Sequence, residues 1–178
     1  RGVKVSELKV IGKRKRSGTR VTFRPDPQIF PIIEFRYELM ATRLRELAYL
    51  NEGVCITLKD ERTDKEEVFQ FKKGLIAFVK HLNENKVALH PPIVIHKEDE
   101  ATKLVADIVL QYTDGYSETL FTFANNINTL EGGTHLVGFK TALTRAIQKY
   151  AEQNGLTKGL KETTLSGDDV REGLTAVI

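Results

Sequence analysis

The chain has 178 residues, of which 40% are apolar and 29% charged, with a formal net charge of +3. That composition suits a soluble globular core and excludes a disordered or membrane-spanning chain, since no apolar run approaches the roughly 20 residues that cross a bilayer. The opening "RGVKVSELKV" has no apolar leader region, and the single cysteine, Cys55, excludes a disulfide framework or a cysteine-rich zinc site, which points to a reducing, cytoplasmic setting.

In chain order, "ELKVIG" and "TRVTFR" alternate apolar and polar residues as half-buried strands do, with the polar "KRKRSG" as a hairpin loop between them. The surrounding stretch from Leu8 to Arg24 carries seven basic residues (Lys9, Lys13, Arg14, Lys15, Arg16, Arg20 and Arg24) and no acid. It suits phosphate or a solvated turn equally. The prolines between Pro25 and Pro31 mark a boundary, because proline removes a backbone donor and biases its predecessor away from helix.

"EFRYELMATRLRELAYLNEG" predicts an amphipathic helix with Tyr37, Met40, Ala41, Leu44, Leu47 and Ala48 on one stripe and Gly53 as its stop. "VCITLKDERTDKEEVFQF" predicts two strands around a charged turn, with Cys55 as a buried structural thiol. A short helix over "GLIAFVKHLNEN" follows, then strands at "IVIH", "KLVADIVLQY" and "SETLFTFANNI". In "GGTHLVGFKTALTRAIQKYAEQNG", Leu136, Phe139, Leu143 and Ile147 recur at spacings of three and four, the signature of a long helix closed by Gly155. "LSGDDVREGLTAVI" predicts a short helix capped by Ser166 or Asp168, then a strand. Acids (Glu152, Glu162, Asp168, Asp169, Glu172) outnumber the bases Lys158, Lys161 and Arg171 in this last part. The sum is an α+β fold, a mainly antiparallel or mixed sheet with helices on one face. The first ~25 residues are too few to hold a core of their own, because an isolated hairpin is marginal in water.

No motif supplies catalytic chemistry. His135 has no second histidine one turn away, and His81, His90 and His96 fall on separate segments, so no metal set forms. "GGT" lacks the Lys-Ser/Thr of a phosphate-binding loop and the third spaced glycine of a dinucleotide fingerprint. A structural turn accounts for it: Gly132 and Gly133 permit the bend, Thr134 caps the helix and His135 bonds locally. Glu66-Glu67 and Asp168-Asp169 are sequence neighbours that point apart, which removes a two-carboxylate site.

"GTRVTFRPDPQIF", "ATRLRELAYLNEGV", "GGTHLVGFKTALTRAIQKYAEQNG" and "GDDVREGLTAVI" resemble, in the same order and at similar intervals, the B subunits of the bacterial type IIA topoisomerases, DNA gyrase and topoisomerase IV. The resemblance covers essentially the whole chain, and "GGTHLVGF" with "GDDVREGL" is its most specific part. It implies that residues 1–27 are the closing strands of an ATPase domain of the GHKL kind, incomplete here. It further implies that residues 28–178 are a transducer domain with a ribosomal-protein-like fold, C-terminally incomplete. It implies ATP and Mg2+ as cofactors of the full-length protein, and as partners DNA, the A subunit of gyrase or topoisomerase IV, and a second B subunit joined through the ATPase domain when ATP is bound.

On the same basis Thr19 and Val21 match ATP-binding positions beside the adenine. Lys140 matches a basic position facing the cavity that holds DNA, with Arg145 and Lys149 as further candidates. The family's Glu-Asn-Asp motif, glycine-rich ATP lid and catalytic glutamate are expected before Arg1, and its Gln-Thr-Lys loop after Ile178, so no catalytic residue is expected within the chain. Two alternatives stay open at this point: a stand-alone nucleic-acid-binding module, and the transducer of a chaperone- or MutL-type GHKL protein.

Overall fold

The computed structural model describes residues 3–13, 15, 17–157 and 165–178, so Arg14, Arg16, Lys158, Lys161 and Glu162 lie outside the described residues. Residues 1–35 and 36–178 form two compact units.

The first unit corrects an expectation. Among its described residues there is no strand at 7–12 or 19–24. Val21 is 78% and Phe23 72% exposed, so the alternation offers an apolar face that finds little to bury against. A two-stranded ribbon without a third strand or a helix to cover it has too little to offset its ordering cost. What does form is local. The Asp26 carboxylate accepts from Gln28 N at 2.9 Å, the Asp26 carbonyl accepts from Phe30 N at 2.8 Å, and Phe23 meets Phe35 edge to face at 6.1 Å.

In the second unit, α1 (Tyr37–Leu50) packs on the antiparallel hairpin β1 (Cys55–Asp60) and β2 (Lys65–Gln70). Tyr37, Ala41 and Ala48 bury against Phe69, with Leu44, Ile56 and Leu58 around them. Cys55 is exposed, which corrects the expected buried thiol. In β1 the half-buried positions are Ile56, Leu58 and Asp60, so strand alternation turns Cys55, Thr57 and Lys59 outward. Next, α2 (Gly74–Leu82) lies against α1 through Tyr49, whose ring stacks on Phe71 at 3.7 Å and on Phe78 at 4.8 Å.

The main sheet has the order β3 (Ile93–Asp99), β4 (Leu104–Tyr112), β8 (Leu174–Val177), β5 (Thr119–Phe121); β5 runs parallel to β8 and the other pairs are antiparallel. A small hairpin of β6 (Phe123–Ala124) and β7 (Ile127–Asn128) leads to the 20-residue α3 (Thr134–Gln153) and to α4 (Gly167–Arg171).

The α+β class stands, but the helices cover both faces of this sheet instead of one. Val109 and Val177 bury against Phe78 and Val79 of α2. Their neighbours Leu110, Ala176 and Leu174 bury against Phe139 of α3. Consecutive strand residues point to opposite faces, so the buried runs Val109-Leu110-Gln111 and Leu174–Val177 must be covered on both sides.

Gly173 makes the entry to β8 possible. Its φ is +70°, and a Cβ there would lie 2.6 Å from the Thr113 carbonyl oxygen and 2.5 Å from that of Gly115. Thr113 N donates to Gly173 O at 2.9 Å across this close approach.

Candidate nucleic-acid interface

The turn into α3 is structural. Gly132 adopts φ +81°, and a Cβ on Gly133 would meet the His135 ring at 2.8 Å. The Gly133 carbonyl accepts the first helical bond, from Val137 N at 3.1 Å, so Gly133 is the N-cap and Thr134 the first helical residue. Thr134 therefore does not cap the helix, as the sequence suggested. His135 does bond locally: its Nε2 lies 3.3 Å from Thr129 Oγ1, which in turn is 2.6 Å from Thr122 Oγ1. The ring braces the loop onto the strand before it.

α4 begins as predicted. Ser166 Oγ accepts from Asp169 N at 3.2 Å and the Asp169 carboxylate accepts from Ser166 N at 2.8 Å, a reciprocal capping box. The Ser166 hydroxyl, and then its backbone N–H, hold the Asp169 carboxyl below the usual carboxylate range. Asp168 turns away to Arg171, 2.7 Å from its guanidinium.

Where α4 lies along α3, a shallow groove of about 410 Å³ forms, lined by Val137, Lys140, Thr141, Thr144, Arg145, Gln148 and Arg171. Gln148 Nε2 donates to Leu165 O at 2.6 Å and fixes the chain entering α4 to the side of α3. Thr141 and Thr144 give their hydroxyls to carbonyls one turn back, Val137 O at 2.8 Å and Lys140 O at 2.9 Å.

The groove brings together two of the three DNA-cavity candidates, Lys140 and Arg145; Lys149 is exposed one turn further along α3. It also brings in Arg171, which the sequence reasoning passed over. The three candidates differ electrostatically. Arg145 and Lys149 are exposed and have no ion pair among the described residues. Lys140 is half-buried, and its Nζ donates to Glu118 Oε1 at 2.6 Å. The other Glu118 oxygen accepts from Arg171 Nε at 2.5 Å. Burial pushes the Glu118 carboxyl up, but the hydrogen bonds and charges of Lys140 and Arg171 outweigh it and hold the group below its ordinary value. At the Lys140 end the charges thus cancel, while the Arg145–Lys149 end is open and positive. Such a surface can hold a polyanion without reading its sequence.

Thr19 and Val21 stand on exposed, irregular chain in the first unit. Among the described residues no cluster of three or more His, Cys, Asp or Glu could hold a metal ion. No described helix is long and apolar enough to cross a membrane.

Comparison with known proteins gives a consistent result. The DNA gyrase B family model matches residues 74–178. The chain is 50% identical over 179 residues to the B subunit of DNA gyrase from Clostridium acetobutylicum, covering 100% of this chain and 28% of that protein. It is 48% identical over 180 residues to the B subunit of DNA topoisomerase 4 from Enterococcus faecalis, covering 99% of this chain and 26% of that protein. A solved structure of the 43K ATPase domain of Thermus thermophilus gyrase B in complex with an aminocoumarin aligns with a TM-score of 0.70 at 39% identity, over 86% of this chain and 41% of that one. The chain thus spans roughly a quarter of the length of these curated relatives. With a family match over residues 74–178, more than half of the sequence, and the "GGTH" turn, the α3 helix and the capped α4 all inside it, the chain belongs to the DNA gyrase B family.

Proposed function

We propose that the chain is the coupling segment of the ATP-dependent subunit of a bacterial type II DNA topoisomerase of the gyrase kind. In this role it links ATP binding and hydrolysis to the capture and passage of a DNA duplex, with negative supercoiling or relaxation as the outcome. Residues 1–27 then belong with the ATPase domain, where Thr19 and Val21 border the adenine, and residues 28–178 form the transducer. ATP and Mg2+ are held by the rest of the subunit. Its partners are DNA, the A subunit of gyrase or topoisomerase IV, and a second B subunit that joins through the ATPase domain when ATP is bound.

The observation that carries this reading is the uncompensated charge of Arg145 and Lys149 beside the α3–α4 groove. A captured duplex must be held and then released. Exposed cations on a rigid helix suit that task, because their attraction to phosphate is sequence-independent and weakens with salt. Family membership supports the same reading.

The test is strand passage by the full-length subunit assembled with its A partner. Expected is an ATP-dependent change in plasmid linking number, slowed in the double variant Arg145→Glu/Lys149→Glu, with the slowing most marked at low salt. An assembled enzyme that leaves DNA topology unchanged with ATP present would overturn the proposal.

A further inference from the structure

Glu118 stands just before β5, Lys140 on α3 and Arg171 on α4, and a single carboxylate joins all three elements. The two cations depend on it unequally. Arg171 is largely buried, with a side chain 13% exposed, and has a second carboxylate, Asp168, at 2.7 Å. Lys140 has Glu118 as its one acidic partner among the described residues, and its side chain remains 32% exposed on the wall of the groove. An ammonium offers three donors, and the contact with Glu118 Oε1 uses one. Lys140 can therefore reach a ligand in the groove, but with its charge already answered by a fixed anion.

We propose, building on the reading of the groove as a DNA-holding surface, that Glu118 acts as a built-in competitor for Lys140, keeping its charge from a DNA phosphodiester so that the groove holds a duplex lightly. Glu118 is in this sense a positioning residue. It touches no DNA itself, and it determines whether the cation on α3 counts as a phosphate contact. A phosphate arriving at Lys140 must displace a carboxylate that Arg171 anchors from behind, or sit beside it against like-charge repulsion. Release of a phosphate is eased by the same carboxylate, which re-forms its bond as the duplex leaves. The device suits a surface that must hold a duplex and let it go.

A merely structural tie between α3 and α4 would have the same geometry, and salt dependence separates the two. Each phosphate neutralised by a protein cation contributes about −0.9 to the slope of log affinity against log salt. The probe is a labelled DNA duplex of about 20 base pairs and mixed sequence, titrated with the full chain by fluorescence anisotropy between roughly 50 and 200 mM KCl, within the range where that slope applies. Glu118→Gln preserves shape and removes the charge. Its slope should be steeper than that of the unaltered chain by about 0.9, so it should lose about 3.5-fold more affinity across that interval.

Adding Lys140→Gln to Glu118→Gln should return the slope to that of the unaltered chain. Lys140→Gln alone should leave the slope unchanged, because the lysine it removes is already answered; this arm stands even if Glu118→Gln fails to fold. Equal slopes for Glu118→Gln and the unaltered chain, no measurable binding by folded Glu118→Gln, or a slope about 0.9 shallower in Lys140→Gln alone would each overturn the proposal. Strand passage by the assembled enzyme is scored separately. If it persists while the slopes fail to move, the competitor role of Glu118 falls and the function of the segment stands.

Discussion

The two faces of the four-stranded sheet are covered by helices to different ends. Against α2, the sheet presents Val109 and Val177 and then a buried polar chain. Thr175 Oγ1 donates to Asn83 Oδ1 at 2.6 Å, Asn83 Nδ2 to Gln111 Oε1 at 3.0 Å, and Gln111 Nε2 to His90 O at 2.7 Å. Against α3, the core is apolar, Leu110, Leu174 and Ala176 around Phe139, and the polar groups gather outside it in the Lys140–Glu118–Arg171 cluster. The buried network on the α2 face rewards one pairing register of β4 and β8, because a slip would orphan three amide or hydroxyl groups. The half-exposed cluster on the α3 face contributes less to the fold and leaves cations where a polyanion can reach them. One face fixes the sheet and the other presents charge.

The largest effect that could break this contrast comes from the apolar core of the α3 face. Leu174 is fully buried. Leu174→Ala should lower stability by about 2–5 kcal/mol, the range for emptying a close-packed leucine site, as read by urea unfolding. A loss below about 1 kcal/mol would mean that α3 can close onto the gap and packs loosely.

Thr175→Val, on the opposite face, keeps the shape and removes the donor to Asn83. It should cost about 1–3 kcal/mol, the penalty of leaving a buried acceptor unpaired. A neutral result in the same unfolding experiment would show that the network does not fix the register of β8.

The charged edge should respond less, and unevenly along α3. Lys140→Glu sets a second carboxylate against Glu118 and should cost on the order of 1 kcal/mol. Arg145→Glu, with no partner to lose, should stay within about 0.5 kcal/mol. Paired thermal melts of the two variants read this difference; equal shifts would contradict the division of α3 into a compensated and an open end.

The smallest effect lies on the open part of the α2 face, where His96 Nδ1 is 2.6 Å from Asp107 Oδ1 and its Nε2 is 3.3 Å from Glu98. The hydrogen bond to Asp107, then its charge and that of Glu98, raise the histidine above its ordinary 6.5. With a raised folded-state value, the pair's stabilisation is fully present below pH 6.5 and is lost as pH rises through the folded value. An NMR titration should place His96 above 6.5 and return it toward that value in Asp107→Asn. An unmoved titration would remove the pair from the account.

Much of the second unit was legible in the sequence. α1, β1, β2, α2, α3, the Ser166 cap and the closing strand appear where period, turn chemistry and capping residues put them. Position within the pattern was less legible. Cys55 faces outward because β1 begins with it, and Thr134 yields the cap to Gly133. "TRVTFR" and "VCITLK" alternate alike, yet only the second becomes a strand. Its residues pair with 65–70 and cover α1, whereas among the described residues of 3–35 the first has no such surface.

The sequence by itself determined most elements of residues 36–178 and, through four specific stretches, the family. Both are local properties, written in hydrophobic period, caps and motif order, and they need no knowledge of which segments meet. Tertiary structure alone decided that helices cover both sheet faces, because that depends on which strand lies at the centre. It alone decided that Lys140 is answered and Arg145 is not. Lys140 and Glu118 are 22 residues apart, Glu118 and Arg171 are 53 apart, and no periodicity reaches across such separations. Packing of α3 and α4 beside β5 brings the three together, and the same packing leaves Arg145 and Lys149 facing outward.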